Sequence, residues 1–427
     1  MNQRLFEFIE KSPTAFHTVE NIRERLLLSG FSELNLSKPW KINAGGKYFV
    51  TRNASSVIAF KIPIQNVSSF MIAASHSDSP CFKLKDTSVY CDAGYTKLSC
   101  ERYGGMINST WLDRPLSVAG RVTYEENGAV KSALVDFKEP VAVIPNVAIH
   151  LNRKTNEETT LNAAVDLVPL FGVDDKSENF KSALCQLTGV KDEDVLSSDL
   201  FLYNADKGVC WQDFISAPRL DDLQCVFASL EAFVESSSDS GMSVLAVFDN
   251  EEVGSSTKQG ADSDFLECVL KKAAEAHGIN SSRYIEILAQ SFMLSCDNGH
   301  AVHPNHPELT DKNNCVKLNG GVVIKHNANQ RYCTDAVSDA LVKTLCKRAN
   351  VPYQAYSNRS DIAGGSTLGN IANTHLSMIT ADIGLAQLAM HSSFETAGKD
   401  DTEHLKNLLK IFYSSSLNQG DNNTYTI

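Results

Sequence analysis

The chain has 427 residues, of which 43% are hydrophobic and 21% charged, a composition typical of a globular protein. Its 39 basic and 51 acidic side chains give a formal net charge of −12, which argues against nucleic acid as a partner because nucleic-acid-binding surfaces are basic. No run approaches the roughly 20 apolar residues that cross a bilayer, and the first residues are charged, so we expect no membrane partner and a cytoplasmic location.

The first part of the chain predicts a helix followed by short strands. Ser12 and Pro13 are typical of a helix start, and apolar residues then recur at helical spacing. The runs 47–52, 57–62 and 70–74 are rich in apolar or β-branched residues and bounded by polar turns, which predicts strands. The last run is apolar enough for a central strand that is buried on both faces.

A β-rich segment extends from about Tyr90 to about Gly208. It alternates in strand fashion around Asn127-Gly128, a pair typical of a hairpin turn. Helical and strand patterns alternate after it, which predicts a mostly parallel sheet. Residues 181–187 are a predicted helix within the β-rich segment. After the segment, the predicted helices are 220–234, 263–277 and 335–349, and the predicted strands are 242–248, 291–295 and 322–325.

The simplest architecture is an α/β domain with a mostly parallel sheet, interrupted by an inserted β-rich domain. Strand patterns at both ends of the chain flank the β-rich middle, so the two ends belong to one unit. We expect residues 1–90 and 209–427 to form the α/β domain and residues 91–208 to form the insertion.

Ionisable residues stand directly after apolar runs in five segments. In an open α/β sheet, ligand sites form there, outside the carboxyl ends of the strands. The residues are His76 with Asp78, Asp221, Glu251 with Glu252, Asp297, and His391. Two imidazoles and several carboxylates suit a pair of divalent cations such as Zn²⁺, Mn²⁺ or Co²⁺. The composition of the set carries this prediction.

Each residue also has an ordinary alternative role. His76 alone is typical of a hydrogen-bonded histidine, although Asp78 falls on the same strand face and can hold its second ring nitrogen, as metal-binding histidines require. Asp221 alone would cap the helix that follows it. Glu251 and Glu252 alone would be solvated, yet neighbouring positions point in different directions, which lets one carboxylate bind metal while the other handles protons.

Six segments match one family in order and approximate spacing. They are SHSDSP, APRLDDL, FDNEEVGS, CDNGHAVHPN, IKHNANQRY and DIGLAQLAMHS, and ERYGGMINSTWLDRPLSVAGRV in the middle of the chain matches as well. Through these segments the sequence resembles the M18 family of metalloaminopeptidases, the aspartyl aminopeptidases, over essentially its whole length. The resemblance implies that the α/β unit is a metallopeptidase domain.

The resemblance implies a site for two divalent ions per subunit, with Zn²⁺ expected and Mn²⁺ or Co²⁺ as alternatives. The implied ligands are Asp221 as the bridge, His76 and Asp297 at one ion, and Glu252 and His391 at the other. Glu251 is implied as the general base that acts on a metal-bridging water. We also count Asp78, which can hold His76, among the catalytic residues.

The resemblance also implies substrates and an assembly. By the same resemblance, the substrate-contacting residues are His300, Lys325 and Tyr332, together with His150, which the inserted domain lends to a neighbouring subunit. Peptides with N-terminal Asp or Glu are the implied substrates, with Lys325 as the implied partner of the acidic side chain and Lys83 and Arg331 as further candidates. A broader or neutral specificity is the alternative. The implied assembly is a tetrahedral homo-dodecamer built from dimers.

The sequence departs from the family pattern at Asp222 and at Asn298-Gly299, and we expect neither departure to touch a metal ligand. Two rival functions remain. One is another dinuclear amide hydrolase, such as a deacylase or a carboxypeptidase, and the other is a catalytically silent scaffold. The presence of Glu251 and all five implied ligands argues against the scaffold.

Overall fold

The strands on either side of the β-rich segment form one sheet. The computed structural model describes the backbone of residues 1–427 and every side chain except that of Thr87. Over these residues the sheet has nine strands, with labels that run from β1 to β22 in chain order over all sheets. In spatial order they are β1 (Ser32–Glu33), β2 (Lys47–Arg52), β3 (Ser56–Lys61), β13 (Gly241–Phe248), β4 (Ser69–His76), β14 (Phe292–Cys296), β18 (Ile379–Gly384), β16 (Val322–His326) and β17 (Tyr353–Ser357).

The centre of this sheet is parallel, as the alternating pattern predicts. Strands β13 and β14 both run parallel to β4, and β18 runs parallel to β14. All residues of β4, β13 and β14 are buried, which explains their nearly continuous apolar sequences. Because these three strands are parallel neighbours, the segments that follow them meet at one edge of the sheet.

Helices cover both faces of the sheet, which confirms the predicted α/β class. One apolar cluster joins the sheet to α1 (Asn2–Glu10), α2 (Ala15–Leu28), α4 (Leu220–Glu235), α7 (Ala336–Ala349) and α9 (Asp401–Tyr413). A second cluster, on the other face, joins it to α5 (Phe265–Ala276), α6 (Ser281–Ala289) and α8 (Leu368–His375). None of the described helices is long and apolar enough to cross a bilayer.

The N-terminal segment differs from its prediction in two respects. Helix α2 begins at Ala15 rather than at Pro13, because Thr14 has the extended backbone geometry of an N-cap residue. Helix α1 precedes it and was not predicted from the sequence. It buries Leu5 and Phe8 against the helical layer, where Phe8 lies 5.7 Å from Phe227 between ring centroids.

The β-rich segment forms a separate antiparallel sheet of six strands within the described chain. Their order is β8 (Ala129–Asp136), β7 (Leu116–Glu126), β10 (Val195–Asn204), β5 (Cys81–Asp92), β6 (Tyr95–Tyr103) and β9 (Leu170–Val173), and α3 (Ser177–Thr188) packs on it. The hairpin between β7 and β8 turns at Asn127 and Gly128, which both have positive φ, as a type I′ turn requires. Because β5 begins at Cys81, the change of sheet comes before the predicted boundary at residue 90.

A smaller sheet, formed by segments that follow the six-stranded sheet in the chain, carries parts of the site. In the described residues it has five strands: β11 (Val209–Trp211), β12 (Phe214–Ala217), β20 (Glu395–Gly398), β19 (Ala386–Leu388) and β15 (Gly299–His300). A terminal hairpin joins β21 (Asn418–Gly420) and β22 (Thr424–Thr426). Strand β12 leads directly into α4, so the smaller sheet fixes the start of that helix, where Asp221 lies.

Candidate metal centre

Three neighbouring strand ends deliver most of the candidate site. His76 is the last residue of β4, and Asp297 directly follows β14. After β13 the chain turns through Asn250, which has a φ of 62°, and places Glu251 and Glu252 in a short 3-10 helix. The remaining two side chains, Asp221 and His391, come from the start of α4 and from the loop after β19.

A group of His76, Glu251 and Glu252 overlaps two further groups, which share Asp221. One group contains His76, Asp221, Asp222 and Asp297, and the other contains Asp221, Glu252 and His391, with one donor atom of each residue within 4.8 Å of the others in its group. The oxygens of Asp221 are divided between the imidazoles. Its Oδ1 lies 3.5 Å from Nε2 of His76, and its Oδ2 lies 3.5 Å from Nε2 of His391.

The donor spacing fits divalent metal ions. Two ligand atoms bonded at about 2.0–2.2 Å to one tetrahedral zinc lie about 3.3–3.6 Å apart. Nε2 of His391 lies 3.3 Å from Oε2 of Glu252 and 3.5 Å from Oδ2 of Asp221, which matches this spacing. Among the described residues, Oδ1 of Asp221 and Oε1 of Glu252 are buried without a hydrogen-bond partner, and bound ions would satisfy them.

Both imidazoles turn Nε2 towards Asp221 and Nδ1 away from it. Nδ1 of His76 lies 3.1 Å from the carbonyl oxygen of Asp78 and 3.4 Å from its Oδ1. Nδ1 of His391 lies 2.6 Å from the carbonyl oxygen of Gly105. These acceptors assign the Nδ1 proton and leave Nε2 for an ion, which is the usual arrangement of metal-binding histidines.

Two further carboxylates hold the ligand segments through backbone amides. Asp78 accepts hydrogen bonds from the backbone N–H groups of Glu251 and Glu252, both at 3.2 Å. Glu395, on β20, accepts from the N–H of His391 at 2.7 Å and from that of Asp221 at 3.0 Å. These contacts fix the positions of the ligands by hydrogen bonds within the chain itself.

The crowding of charges shifts the protonation of the cluster. Burial, opposed by His76 and reinforced by Asp297, raises the pKa of Glu251 to about 8. Burial also acts to raise the pKa of Asp221, but the imidazoles of His391 and His76, which face its two oxygens, hold it well below its usual range. Burial lowers the pKa of His391, yet Asp221 and Glu252 raise it on balance to about 10. Cations bound between these groups would neutralise the same carboxylates.

The proposed substrate residues fall into two sets. Lys325 is buried beside the cluster, where Nζ donates to the carbonyl oxygen of Asn298 at 2.7 Å, lies 3.7 Å from Oδ1 of Asp297 and stands 5.5 Å from the ring centroid of Tyr332. His300 keeps contact with water, although desolvation by the surrounding protein and the charge of Lys325 lower its pKa.

The other candidates lie outside this cluster in the single chain. His150 is exposed in a turn of the segment between β8 and β9 and belongs to none of the described metal-ligating groups. Lys83 forms an ion pair with Asp199 at 2.9 Å, and Arg331 is exposed.

The expectation that Asp222 touches no metal ligand is wrong. Its Oδ2 accepts a hydrogen bond from the backbone N–H of His76 at 3.3 Å, and its carboxylate joins one ligand group. Asn298 also holds the site, since it donates to the carbonyl oxygen of Leu220 at 3.2 Å, one residue before Asp221. Sequence reasoning missed both contacts because each depends on how the start of α4 meets the edge of the central sheet.

Comparisons with known proteins identify the family of this chain. The family model described as aminopeptidase I zinc metalloprotease (M18) matches residues 8–413. A protein of Clostridium novyi described as a probable M18 family aminopeptidase 2 is 43% identical over 422 residues, which cover 96% of this chain and 98% of the relative. A relative of the same description from Ectopseudomonas mendocina is 41% identical over 424 residues, which cover 97% of this chain and 98% of the relative.

Solved structures show the same fold. The structure of a complex of Ape4 and Nbr1 matches with a TM-score of 0.94 and 35% identity, covering 96% of this chain and 85% of the matched chain. The structure of the S. cerevisiae mApe1 dodecamer matches with a TM-score of 0.85 and 29% identity, covering 96% and 95% of the two chains. On the family match and the identity of these relatives, the chain belongs to the M18 family of zinc metalloaminopeptidases.

Proposed function

We propose that this M18 aminopeptidase holds two divalent ions, with Zn²⁺ as the expected metal and Mn²⁺ or Co²⁺ as alternatives. The single observation that carries the proposal is the division of the Asp221 oxygens between two ligand groups. His76 and Asp297 would hold one ion, Glu252 and His391 the other, and Asp221 both. When bound, such ions polarise a substrate carbonyl and lower the pKa of water.

Glu251 is the proposed general base. It shares a group with His76 and Glu252, and its side chain is partly accessible, so it can reach a water molecule that enters the site. Glu251 takes a proton from the attacking water and passes it to the departing amine, a role worth about 10² to 10⁴ in rate. Asp78 has a supporting role, because it orients His76 and accepts a hydrogen bond from the backbone N–H of Glu251.

Cleavage from the N-terminus follows from the acidic surroundings of the reacting bond. The charged α-amine of a peptide would be met by the carboxylates of Glu251 and Asp297. An internal peptide bond has no such amine within reach and so loses this interaction. The same requirement separates an aminopeptidase from a deacylase or a carboxypeptidase, whose substrates offer no free amine beside the scissile bond.

We propose peptides with N-terminal Asp or Glu as preferred substrates. Lys325 is the candidate partner for the acidic side chain, because its ammonium group lies beside Asp297 and Tyr332. One observation favours the broader specificity as second candidate: Nζ of Lys325 already donates to the carbonyl oxygen of Asn298 at 2.7 Å. Part of its capacity to bind a substrate carboxylate is therefore used within the chain.

The specificity test compares peptides that begin with Asp, Glu, Leu and Lys. The variant is Lys325→Met, which keeps most of the length of the side chain and removes its charge. If Lys325 recognises acidic residues, kcat/KM should fall much more for Asp and Glu peptides than for Leu peptides. Equal losses for all four would leave the broader specificity.

We also propose a homo-oligomer, with a tetrahedral dodecamer built from dimers as its form and His150 reaching a neighbouring site. The segment around His150 supports this, because Val147, Ile149 and Leu151 are 54%, 47% and 83% exposed. Apolar side chains exposed together in one segment mark protein contact sites. Mixed oligomers of inactive Glu251→Gln and inactive His150→Ala chains should regain partial activity. Confirmed mixed oligomers without recovery would refute a shared site.

The test of the function itself is Glu251→Gln with metal analysis. The variant should keep both ions and lose about 10² to 10⁴ in turnover, because Glu251 handles protons in this proposal. Glu267→Gln, which alters a surface pair with Lys271, is the control. Substrates should include aminoacyl-nitroanilides, N-acyl amino acids and C-terminal substrates. Turnover of only the last two would indicate a different amide hydrolase, and no turnover with any ion would indicate a silent scaffold.

We propose the cytosol as the working compartment. All eleven cysteines are free in the described chain, as expected where thiols are kept reduced.

A further inference from the structure

A tyrosine of the six-stranded sheet reaches the back of the metal centre. Tyr103 is the last residue of β6, and its hydroxyl donates to Oδ2 of Asp78 at 2.7 Å. The same hydroxyl accepts a hydrogen bond from Nδ2 of Asn250 at 2.8 Å. Its ring packs edge-on against Phe201 of β10, with centroids 5.8 Å apart. The side chain is thus held at both ends.

Asp78 connects this hydroxyl to both ligand groups. Its carboxylate accepts hydrogen bonds from the backbone N–H groups of Glu251 and Glu252, and its carbonyl oxygen lies within hydrogen-bond distance of Nδ1 of His76. A shift of the Asp78 carboxylate would therefore move a proposed ligand of each ion together with the proposed base. The Tyr103 hydroxyl donates to Oδ2 of Asp78, the same oxygen that accepts a hydrogen bond from the backbone N–H of Glu252.

The two residues after Tyr103 touch the centre as well. Gly104 has a φ of 76°, and a Cβ added there would lie 3.2 Å from Cβ of Glu252. The carbonyl oxygen of Gly105 accepts from Nδ1 of His391 at 2.6 Å. Three successive residues at the end of one strand thus contact the surroundings of His76, Glu252 and His391.

We propose that Tyr103 is a positioning residue for peptide hydrolysis, which acts through Asp78 to fix the metal ligands and Glu251. The inference rests on the proposed metal centre. The placement of the six-stranded sheet sets the geometry of the centre through this residue. Partners that orient metal ligands from outside the coordination sphere typically change metal affinity or activity by about 10- to 100-fold when they are removed.

The test is Tyr103→Phe, which removes one hydroxyl and leaves the ring packed on Phe201. The matched control is Tyr203→Phe, since Tyr203 is also buried in the six-stranded sheet and donates to the carboxylate of Asp136 at 2.7 Å, outside the metal-ligating groups. Three quantities are measured on intact oligomers: zinc affinity in chelator competition, kcat and KM separately, and the visible spectrum of the Co²⁺-substituted protein.

For Tyr103→Phe we expect zinc affinity and kcat each to fall about tenfold or more, with a small change in KM and an altered Co²⁺ spectrum. Tyr203→Phe should match the wild type in all three. Equal behaviour of the two variants overturns the proposal. A loss confined to KM also overturns it, because a positioning role for the ligands and the base acts on kcat.

A second variant covers a failure of Tyr103→Phe to fold. Asn250→Gly removes the amide that holds the Tyr103 hydroxyl, and glycine accepts the positive φ of this position. It should shift zinc affinity and kcat in the same direction by a smaller factor, and wild-type values would overturn the proposal. If the wild type itself binds no ion at this centre, the proposed function fails. If the wild type binds metal normally and both variants have wild-type zinc affinity and kcat, only the positioning role of Tyr103 is refuted.

Discussion

Replacing Asp221 by asparagine removes one half of the proposed bridge. In the structure Oδ1 of Asp221 faces His76 and Oδ2 faces His391, each 3.5 Å from Nε2 of the ring. Asparagine has nearly the same shape, but only one of its two terminal atoms is an oxygen, and its NH₂ group is a donor that does not bind cations. One of the two proposed ions therefore loses a ligand, and the other keeps a neutral amide oxygen in place of a carboxylate oxygen.

The magnitude follows from the ligand count. Partners outside the coordination sphere change affinity by about 10- to 100-fold, so the loss of a direct ligand should reach at least about 100-fold. This factor corresponds to about 2.8 kcal/mol, because each tenfold change in an equilibrium constant is worth about 1.4 kcal/mol. We expect about two ions per wild-type chain and about one per Asp221→Asn chain at the same free zinc concentration.

The assay is equilibrium dialysis against chelator-buffered zinc, followed by elemental analysis. Thermal unfolding in the same buffers gives a second readout, because an ion that binds only the folded chain raises the Tm. Asp249→Asn is the control. Asp249 is buried outside every described ligand group, and burial, reinforced by Asp78, raises its pKa to about 7, so a neutral amide is a mild replacement. Two ions held with wild-type affinity by Asp221→Asn would refute the bridge.

Three other predictions concern the framework around the site. Glu231 is buried and forms ion pairs with Arg4 and Arg25. Glu231→Gln should therefore lower the free energy of unfolding, measured by urea denaturation, by about 2 kcal/mol. An unchanged urea midpoint would contradict this. Burial acts to raise the pKa of Glu231, but Arg25 and then Arg4 hold it below its ordinary 4.5. The stabilisation is therefore complete above about pH 4.5, and it is lost as the pH falls through the lower pKa that Glu231 has in the folded chain. The difference in free energy of unfolding between wild type and Glu231→Gln should shrink accordingly in acid titrations followed by circular dichroism. Gly384→Ala should lower the free energy of unfolding by about 3 kcal/mol and weaken zinc binding, because the added Cβ would lie 1.7 Å from the carbonyl oxygen of Asp297. A variant with a wild-type Tm and zinc affinity would contradict this, since the segment would then accommodate the extra carbon by a small shift.

Local patterns predicted the parts of the molecule that depend on neighbouring residues. The apolar runs gave strands β4, β13 and β14 nearly to their ends, and the polar residues after these runs are the ones that meet at the sheet edge. The spacing of His76 and Asp78 likewise predicted their contact, although β4 ends at His76 and a turn rather than a shared strand face brings Asp78 to the ring.

Contacts through single backbone groups could not be predicted. Glu395 accepts a hydrogen bond from the backbone N–H of Asp221 across a long sequence separation, and the carbonyl oxygen of Gly105 accepts one from Nδ1 of His391, in the loop after β19. Such contacts impose no periodicity and no composition on the sequence. They depend on the relative placement of sheets, which follows from packing over the whole chain.

The Glu395 carboxylate has a consequence for how the protein acquires and exchanges its ions. In small zinc-dependent domains the ligands come together only when the metal binds, so binding and folding are one event. Here one buried carboxylate ties the Asp221 and His391 segments together through their amides, and this tie is formed by the polypeptide alone. The entropy lost on ordering these segments is therefore lost during folding. We therefore expect metal to enter and leave a site that already has its shape, and one ion species to replace another while the chain stays folded.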